Sequence, residues 1–385
     1  MDFSLTPEQQ ALKDSVQRFC EREYGFEQRS PLLRSAEGSS RGHWATFAEL
    51  GWLGAGLSEG LGGYGGGPVE NALILEELGR ALALEPFLAC AVGAVQAIAA
   101  LAPPEQAEAL LAPIVAGEAI AVLAHADGRT DTRAERTGAG WRLHGTKRFV
   151  LGGPAADLLL VSARTAGDAG DRDGVSLFHL SAEAPGVTRR DYRAVDGRRV
   201  ADFTFDAVEL GTEALMGPAG GATPAVELAL DHTVIGLCAE ALGAMDAALW
   251  MTRDYLKTRQ QFGVTLNTFQ ALQHRMADML VETELARSML CQGLAALGES
   301  DPAARRRGVS AAKAQIGEAG YFVGGQAVQL HGGIGVTEDY AIGHFFKRLT
   351  LARGLYGTTD EHLARFARLS RRPAAGSANA SLAAE

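Results

Sequence analysis

The segment YLKTRQQFGVTLNTFQALQHRMADM, Tyr255 to Met279, decides the fold more than any other part of the chain. Its first residues end one amphipathic helix and its last residues begin the next. Arg259, Gln261 and Phe262 stand between the two, just before Gly263. A guanidinium grips phosphate and an aromatic ring packs on a base, so this group suits a flexible dinucleotide. Taken alone, the segment is more typical of a solvated helix end.

A second segment, QAVQLHGGIGVTEDYAIGHFFKRL, runs from Gln326 to Leu349. Gln329 stands near the end of a predicted helix. Gly332 and Gly333 follow, and their missing side chains allow another backbone to approach closely. Taken alone, this pattern is an ordinary glycine helix end.

The order of elements indicates an α+β chain with segregated helices and strands, because helical periods occupy the first third and the last part while strands fill the middle. We predict an N-terminal helical domain over 1–118, a middle β-barrel-like domain over 119–222 and a C-terminal four-helix bundle over 223–370. The small, polar tail 371–385 is expected to be disordered.

Individual patterns support this division. VENALILEELGRALALEP predicts a helix that ends at Pro86. DFTFDAVEL predicts a half-buried strand in which Phe203, Phe205 and Ala207 face the core. In a later helix, one apolar face is expected to contain four residues: Leu272, Met276, Met279 and Leu280.

Composition narrows the class of partner. The net charge of −10 argues against nucleic acid as the main partner.

The polar start MDFSLTPEQQ is no signal peptide, and no long uncharged apolar run suggests a membrane span. The four cysteines are far apart, without zinc spacing, and reduced thiols in a cytoplasmic protein are the simple interpretation. They are Cys20, Cys90, Cys238 and Cys291.

Two other chemistries find little support. Gly60, Gly62 and Gly65 match the dinucleotide pattern G-x-G-x-x-G, but the preceding residues have a helical period where that motif requires a strand. No Glu-x-x-His occurs, so a di-iron centre in the helical bundle is not expected, and no metal site is predicted.

The two C-terminal segments, together with the Gly-Thr turn in ARGLYGTTDEHLAR (352–365), resemble the acyl-CoA dehydrogenase family over nearly the whole chain. The resemblance implies FAD bound across a dimer. One subunit's β-domain and Gly-Thr turn, with Thr358 and Asp360, hold the flavin ring. The neighbour's segments hold the ADP half, here through Arg259, Gln261, Phe262, Gln329, Gly332 and Gly333.

In that family a glutamate removes the α-proton of an acyl-CoA thioester, and electrons pass on to an electron-transfer flavoprotein. Both positions where the family carries this glutamate lack it here: Tyr356 precedes the Gly-Thr turn, and Thr233, followed by Val234, occupies the alternative helix position. A phenol of pKa ~10 is only about one part in a thousand ionised at pH 7, whereas a carboxyl of pKa ~4.3 is fully ionised. No catalytic residue is therefore predicted in this chain. Asp360 and Glu361 are candidates for the base only because they lie close to Tyr356 in the sequence.

The predicted flavin-ring contacts differ as well. His125 in AHADGRTDT stands where the family's threonine bonds the ring, and Leu151 stands where a second threonine is usual. The residues that would hold the ADP half of a neighbour's FAD are present. Those that would hold the flavin ring and remove the substrate's α-proton are replaced by other residue types. This pattern is similar to the small subunits of heteromeric enzymes such as pimeloyl-CoA dehydrogenase.

The sequence therefore predicts a subunit that needs a catalytic large subunit, with FAD, an acyl-CoA substrate and an electron-transfer flavoprotein as partners. The alternatives are a self-sufficient homo-oligomer with a relocated base and a catalytically dead scaffold. The acyl chain and the stoichiometry are left open.

Overall fold

The computed structural model describes residues 4–35 and 37–371. All but the first residue of the predicted disordered tail lies outside the described residues. The amino-terminal part is helical as predicted. Its α-helices are α1 (Pro7–Glu23), α2 (Phe26–Arg34), α3 (Arg41–Glu49), α4 (Pro68–Arg80), α5 (Val95–Leu101) and α6 (Pro104–Val115), and a π-helix (Leu88–Ala94) leads directly into α5.

The start of α1 follows directly from local sequence. The Thr6 hydroxyl accepts a hydrogen bond from the Gln9 backbone N–H, and the Gln9 side chain accepts one from the Thr6 backbone N–H. This reciprocal pair satisfies two helix-end donors, and Pro7 at the first helical position needs no partner.

The middle of the chain forms one mixed eight-stranded sheet in the order β6-β7-β3-β2-β4-β5-β8, with β1 parallel beside β4. The strands are β1 (Ala121–Ala124), β2 (Arg133–Arg136), β3 (Gly140–Leu151), β4 (Leu158–Arg164), β5 (Val175–Ser181), β6 (Val187–Arg193), β7 (Arg199–Gly211) and β8 (Leu215–Met216). The long β3 and β7 pair antiparallel, and the last residues of β3 lead to the candidate site.

The carboxyl-terminal part is helical again. It contains α7 (Thr223–Thr258), α8 (Gln270–Leu297), α9 (Pro302–His331), α10 (Ala341–Gly354) and α11 (Thr359–Ser370), with a short hairpin of β9 (Gln260–Gln261) and β10 (Val264–Thr265) after α7. The fold class is confirmed. The described residues add a short fifth helix, α11, to the four predicted for the bundle.

Three sequence-based details were wrong. The helix α4 ends at Arg80, six residues before Pro86, because Leu82 adopts the left-handed backbone conformation with φ +54°. Ala207 is exposed although Phe203 and Phe205 are buried, because β7 shifts register against β3 and Ala207 itself has φ +52°. Leu280 is 40% exposed, because it lies on the outer face of α8.

The glycine-rich segment is a connector, as predicted. Residues 56–65 follow a 3-10 helix and contain another (Glu59–Leu61), so no strand precedes the G-x-G-x-x-G pattern. The stretch GLSEG (56–60) also matches the G-x-S-x-G pattern of hydrolases. Ser58 there precedes a 3-10 helix and does not occupy a strand-to-helix elbow.

One helix, α7, is long and apolar enough to cross a membrane by length and composition, contrary to the expectation that no run would qualify. In its most apolar window, 78% of the residues are buried inside the protein. Its apolar face is packed in the core and includes Leu237, Met245 and Leu249. We therefore interpret α7 as the core helix of the C-terminal bundle.

Candidate functional site

The first candidate site is a cavity of about 490 Å³ where α7 ends and α9 ends, which we call the helix-end pocket. It brings together five of the predicted cofactor residues: Arg259, Gln261, Gln329, Gly332 and Gly333. Arg259 caps the C-terminus of α7, and its backbone N–H donates to the Tyr255 carbonyl. Within the described part of the chain, no side chain pairs with its guanidinium, so the donors of that group face the pocket and solvent.

The glycines of the helix-end pocket leave open space. A Cβ atom built on Gly332 or Gly333 would meet no other atom within 4 Å. Gly332 also has φ +64°, a conformation that disfavours other residues. The surface beside the α9 terminus is therefore free for close approach by a ligand or another chain.

Phe262 does not line this pocket. It lies at the tip of the β9–β10 hairpin with φ +56°, is 90% exposed and meets Phe269 edge-on at 6.2 Å between ring centroids. Apart from this edge contact, the ring surface is available to a molecule outside this chain.

His331 is a site residue that the sequence reasoning missed. It is 3% exposed and stacks on Tyr255, with 4.3 Å between ring centroids. Its Nδ1 lies 2.8 Å from the Ala327 carbonyl and therefore carries the proton, which leaves Nε2 as an acceptor. That Nε2 is buried without a partner and belongs to a residue lining the helix-end pocket. The sequence signal was its place between Gln329 and Gly332.

The second candidate site is a cavity of about 530 Å³ between the sheet and the C-terminal helices, which we call the central pocket. Its wall contains both positions where the base was sought, Tyr356 and Thr233, and the two residues at the expected flavin-ring contacts, His125 and Leu151. Thr358 and Asp360, predicted to contact the cofactor, do not line it, although their neighbours Gly357 and Glu361 do.

Tyr356 is held in place by the turn that follows α10. It has φ +56°, and its carbonyl accepts a hydrogen bond from His362 Nε2 at 3.1 Å. His362 is fully buried, and its Nδ1 accepts from the Ser310 hydroxyl at 3.2 Å. Burial raises the pKa of the Tyr356 phenol to about 12, an effect that Arg198 opposes and Glu240 reinforces. The phenol is therefore protonated at neutral pH.

Thr233 is engaged within its own helix. It is 2% exposed, and its hydroxyl donates to the Ala229 carbonyl at 2.7 Å. A threonine hydroxyl is in any case no proton acceptor at neutral pH. Neither predicted base position therefore offers an ionised group to the central pocket.

Three carboxylates do line the central pocket, and each already has partners. Glu227 pairs with Arg306 at 2.6 Å, and Asp231 pairs with Arg305 at 2.9 Å. Glu361 accepts from the Thr358 backbone N–H at 2.7 Å in the capping box that starts α11, which lowers its pKa. Asp231 differs from Glu361 in its pKa: it is only 3% exposed, and burial raises its pKa.

His125 adds a neutral polar group to the same wall. The residue as a whole is exposed, but its Nδ1 lies 3.2 Å from the Ser162 hydroxyl, and partial desolvation of the ring together with the nearby Lys147 lowers its pKa to about 4. Leu151 offers only methyl groups. A third cavity, of about 30 Å³, shares Ala89 and Leu151 with the central pocket. At ~10–15 Å³ per water, it has room for two or three waters only.

The chain matches known proteins over nearly its whole length. Family models match residues 6–118 (acyl-CoA dehydrogenase, N-terminal domain), 123–208 (middle domain) and 220–370 (C-terminal domain). The chain belongs to the acyl-CoA dehydrogenase family. It is 30% identical to the acyl-CoA dehydrogenase FadE27 of Mycobacterium tuberculosis, over 90% of this chain and 92% of that protein.

Solved structures similar to this chain support the same family assignment. The chain is 28% identical, with a TM-score of 0.89, to a chain of the ChsE4-ChsE5 complex from Mycobacterium tuberculosis, covering 97% of this chain and 100% of that one. It is 26% identical, with a TM-score of 0.86, to butyryl-CoA dehydrogenase from Megasphaera elsdenii, covering 96% and 99%. The predicted enzyme class is confirmed, and FAD is the cofactor on which this family depends.

The two pockets fit FAD unequally. The helix-end pocket supplies an unpaired guanidinium, an unpartnered buried imidazole nitrogen and open space over two glycines, which suits the phosphates and adenosine of the cofactor. The central pocket has Leu151 and a neutral His125 at the two positions where the family hydrogen-bonds the ring. The ADP half therefore fits this chain better than the ring half does.

Four features remain predictions: the individual cofactor residues, the domain boundaries, the partner subunit and the cytoplasmic location. Among the described residues, no group of three or more His, Cys, Asp or Glu side chains could hold a metal ion. The four cysteines are free, and burial raises the pKa of Cys90 and Cys238 to about 12.

Proposed function

We propose that this chain is the non-catalytic subunit of a heteromeric acyl-CoA dehydrogenase and that its helix-end pocket completes the FAD site of a catalytic partner. The observation that carries the proposal is the state of the central pocket. Its phenol is protonated, its threonine hydroxyl is engaged, and its three carboxylates are held by arginines or a helix cap.

A base must lie against the substrate's α-carbon and be ionised at working pH. Tyr356 stands where that group belongs, with its pKa raised to about 12. When bound, FAD accepts the hydride of α,β-dehydrogenation. This chain's own part is to hold the cofactor's pyrophosphate through Arg259 and its adenosine end beside Gln329 and His331.

The likeness to a chain of the ChsE4-ChsE5 complex supports the proposal, since that structure is a complex of two named proteins. The catalytic large subunit would supply the glutamate, and an acyl-CoA thioester would be its substrate. Electrons would leave to an electron-transfer flavoprotein, the acceptor usual in the family. A soluble assembly in the cytoplasm accords with the free cysteines.

The test is purification of the chain from its native host through a tag placed after Glu385. We expect a second acyl-CoA dehydrogenase chain to co-purify, with a glutamate before its own Gly-Thr turn, and flavin absorbance to accompany the pair. A homo-oligomer carrying about one FAD per chain would contradict the proposal. A complex without flavin would favour the scaffold alternative.

A second function, a self-sufficient homo-oligomeric dehydrogenase, is favoured by Asp231 alone. This carboxylate lines the central pocket, is nearly inaccessible and has a raised pKa, as a tuned base would. The Arg305 guanidinium, 2.9 Å away, opposes that role because it stabilises the charge and occupies the carboxylate. If the isolated chain turns over an acyl-CoA, Asp231→Asn should abolish the reaction and Glu361→Gln should not.

A further inference from the structure

One cation of the central pocket has no direct ion-pair partner among the described residues. Arg365 on α11 is half-buried and lines the pocket. Across residues 4–35 and 37–371, no hydrogen bond or ion pair involves its guanidinium. A half-buried charge without a partner is costly, so such groups are normally paired with something.

Asp231 and Glu227 favour the charge of Arg365 from a distance, but neither pairs with it directly because other groups hold the acids of the pocket. Glu227 is shared by Arg306 at 2.6 Å and Arg172 at 2.8 Å. Asp231 belongs to Arg305, and Glu361 caps α11.

Arg306 supplies a second unused donor on the same wall. Its Nη1 bonds Glu227, but its Nε is buried without a partner. Arg306 is on α9 and Arg365 on α11, so two helices present guanidinium groups to one cavity. Burial lowers the pKa of Arg365, and the charge of Arg306 lowers it further. An anion bound between the two guanidinium groups would offset both the cost of burying the Arg365 charge and its repulsion by Arg306.

We propose that Arg306 and Arg365 form an anion site that binds the phosphate group of a ligand in the central pocket. A phosphate monoester carries nearly two charges at neutral pH and several acceptor oxygens, which matches two guanidinium groups. The inference deepens the proposed function, in which this pocket performs no chemistry and is free to hold a ligand. The ligand is a coenzyme A derivative, a flavin nucleotide or free phosphate, which share this chemistry.

The experiment is calorimetric titration of the purified chain with four separate probes: inorganic phosphate, pyrophosphate, coenzyme A and FMN. Four proteins are compared: wild type, Arg365→Ala, Arg368→Ala and Arg259→Ala. Arg368 is the matched control, because it lies on α11 one turn later, is exposed and has the same charge. Arg259→Ala reports on the helix-end pocket, which could bind phosphates independently.

We expect at least one probe to bind wild type, and Arg365→Ala to weaken that binding tenfold or more. Arg368→Ala should change it less than twofold, whereas any loss in Arg259→Ala reports binding of that probe at the separate helix-end pocket. Tight binding of coenzyme A or FMN but not inorganic phosphate identifies a ligand that fills the pocket, whereas equal binding of all four identifies a free-anion site.

Three outcomes overturn the inference: no probe binds, the Arg365 and Arg368 variants weaken binding equally, or only Arg259→Ala weakens it. Thermal melting without ligand is a further check. Arg365→Ala should melt within a degree or two of wild type, and a large loss would show that Arg365 is already paired within the folded chain, which also contradicts the inference. None of these outcomes bears on whether a catalytic partner exists, so the two proposals fail separately.

Discussion

Arg259→Ala should loosen FAD in the assembled enzyme without slowing its chemistry. The guanidinium makes no hydrogen bond or ion pair within the described chain, so its removal takes away no internal contact and the fold should be unaffected. In the assembled site it would meet the cofactor's pyrophosphate. A charge-assisted hydrogen bond of this kind contributes roughly 1.5–3 kcal/mol. At ~1.4 kcal/mol per decade, FAD affinity should fall about ten- to a hundredfold.

The assay is FAD titration of the co-purified complex, followed by steady-state turnover at saturating FAD. Lys257→Ala is the matched control, since Lys257 is an exposed cation in the last turn of the same helix and does not line the helix-end pocket. Gln329→Ala should weaken FAD binding in the same direction but less, because a neutral amide bonds phosphate or ribose more weakly than a cation. Unchanged FAD affinity in the Arg259 variant, or an equal loss in the Lys257 variant, would refute the shared-site reasoning.

Three further outcomes are expected. Tyr356→Phe should leave the rate of the complex nearly unchanged, because a phenol of pKa about 12 accepts no proton; a large loss at saturating FAD would count against this. Tyr356→Glu in the isolated chain should not create a dehydrogenase, since Leu151 and His125 still face the ring position; robust turnover would show that the central pocket holds flavin well. Burial, reinforced by the nearby Arg365 charge, lowers the pKa of His362 from ~6.5 to about 4, so its contribution to the free energy of unfolding is complete above about pH 6.5 and is lost as pH falls toward 4. His362→Gln should reduce the loss of unfolding free energy over that window by roughly 3 kcal/mol at most, measured by urea titration at pH 7 and pH 4.5, and an unchanged pH dependence would contradict the assignment.

Much of the fold was predictable because local patterns and tertiary packing agree. The helical first third, the helical last part and the burial of Phe203 and Phe205 all appear in the structure as predicted. The errors at Leu82 and Ala207 share one cause: each adopts a positive φ that its residue type does not favour, so the sequence pattern does not reveal it.

The site was predictable only in part. Arg259 and Gln329 are 70 residues apart in sequence, and their meeting in one pocket was inferred from family resemblance rather than from spacing. His331 and Asp231 were missed because burial and an unpartnered nitrogen are properties of the folded chain. The unpaired charge of Arg365 was invisible for the same reason, since a sequence does not reveal which carboxylates are already engaged.

The most direct test of the central claim is one turnover measurement made on two samples. The purified chain alone, supplied with FAD, an artificial electron acceptor and a panel of saturated acyl-CoA thioesters, is compared with the complex isolated from the native host. We expect no dehydrogenation by the chain alone and turnover by the complex on at least one thioester. Turnover by the isolated chain at a rate comparable to that of the complex would contradict the account, because it would require a base within this chain.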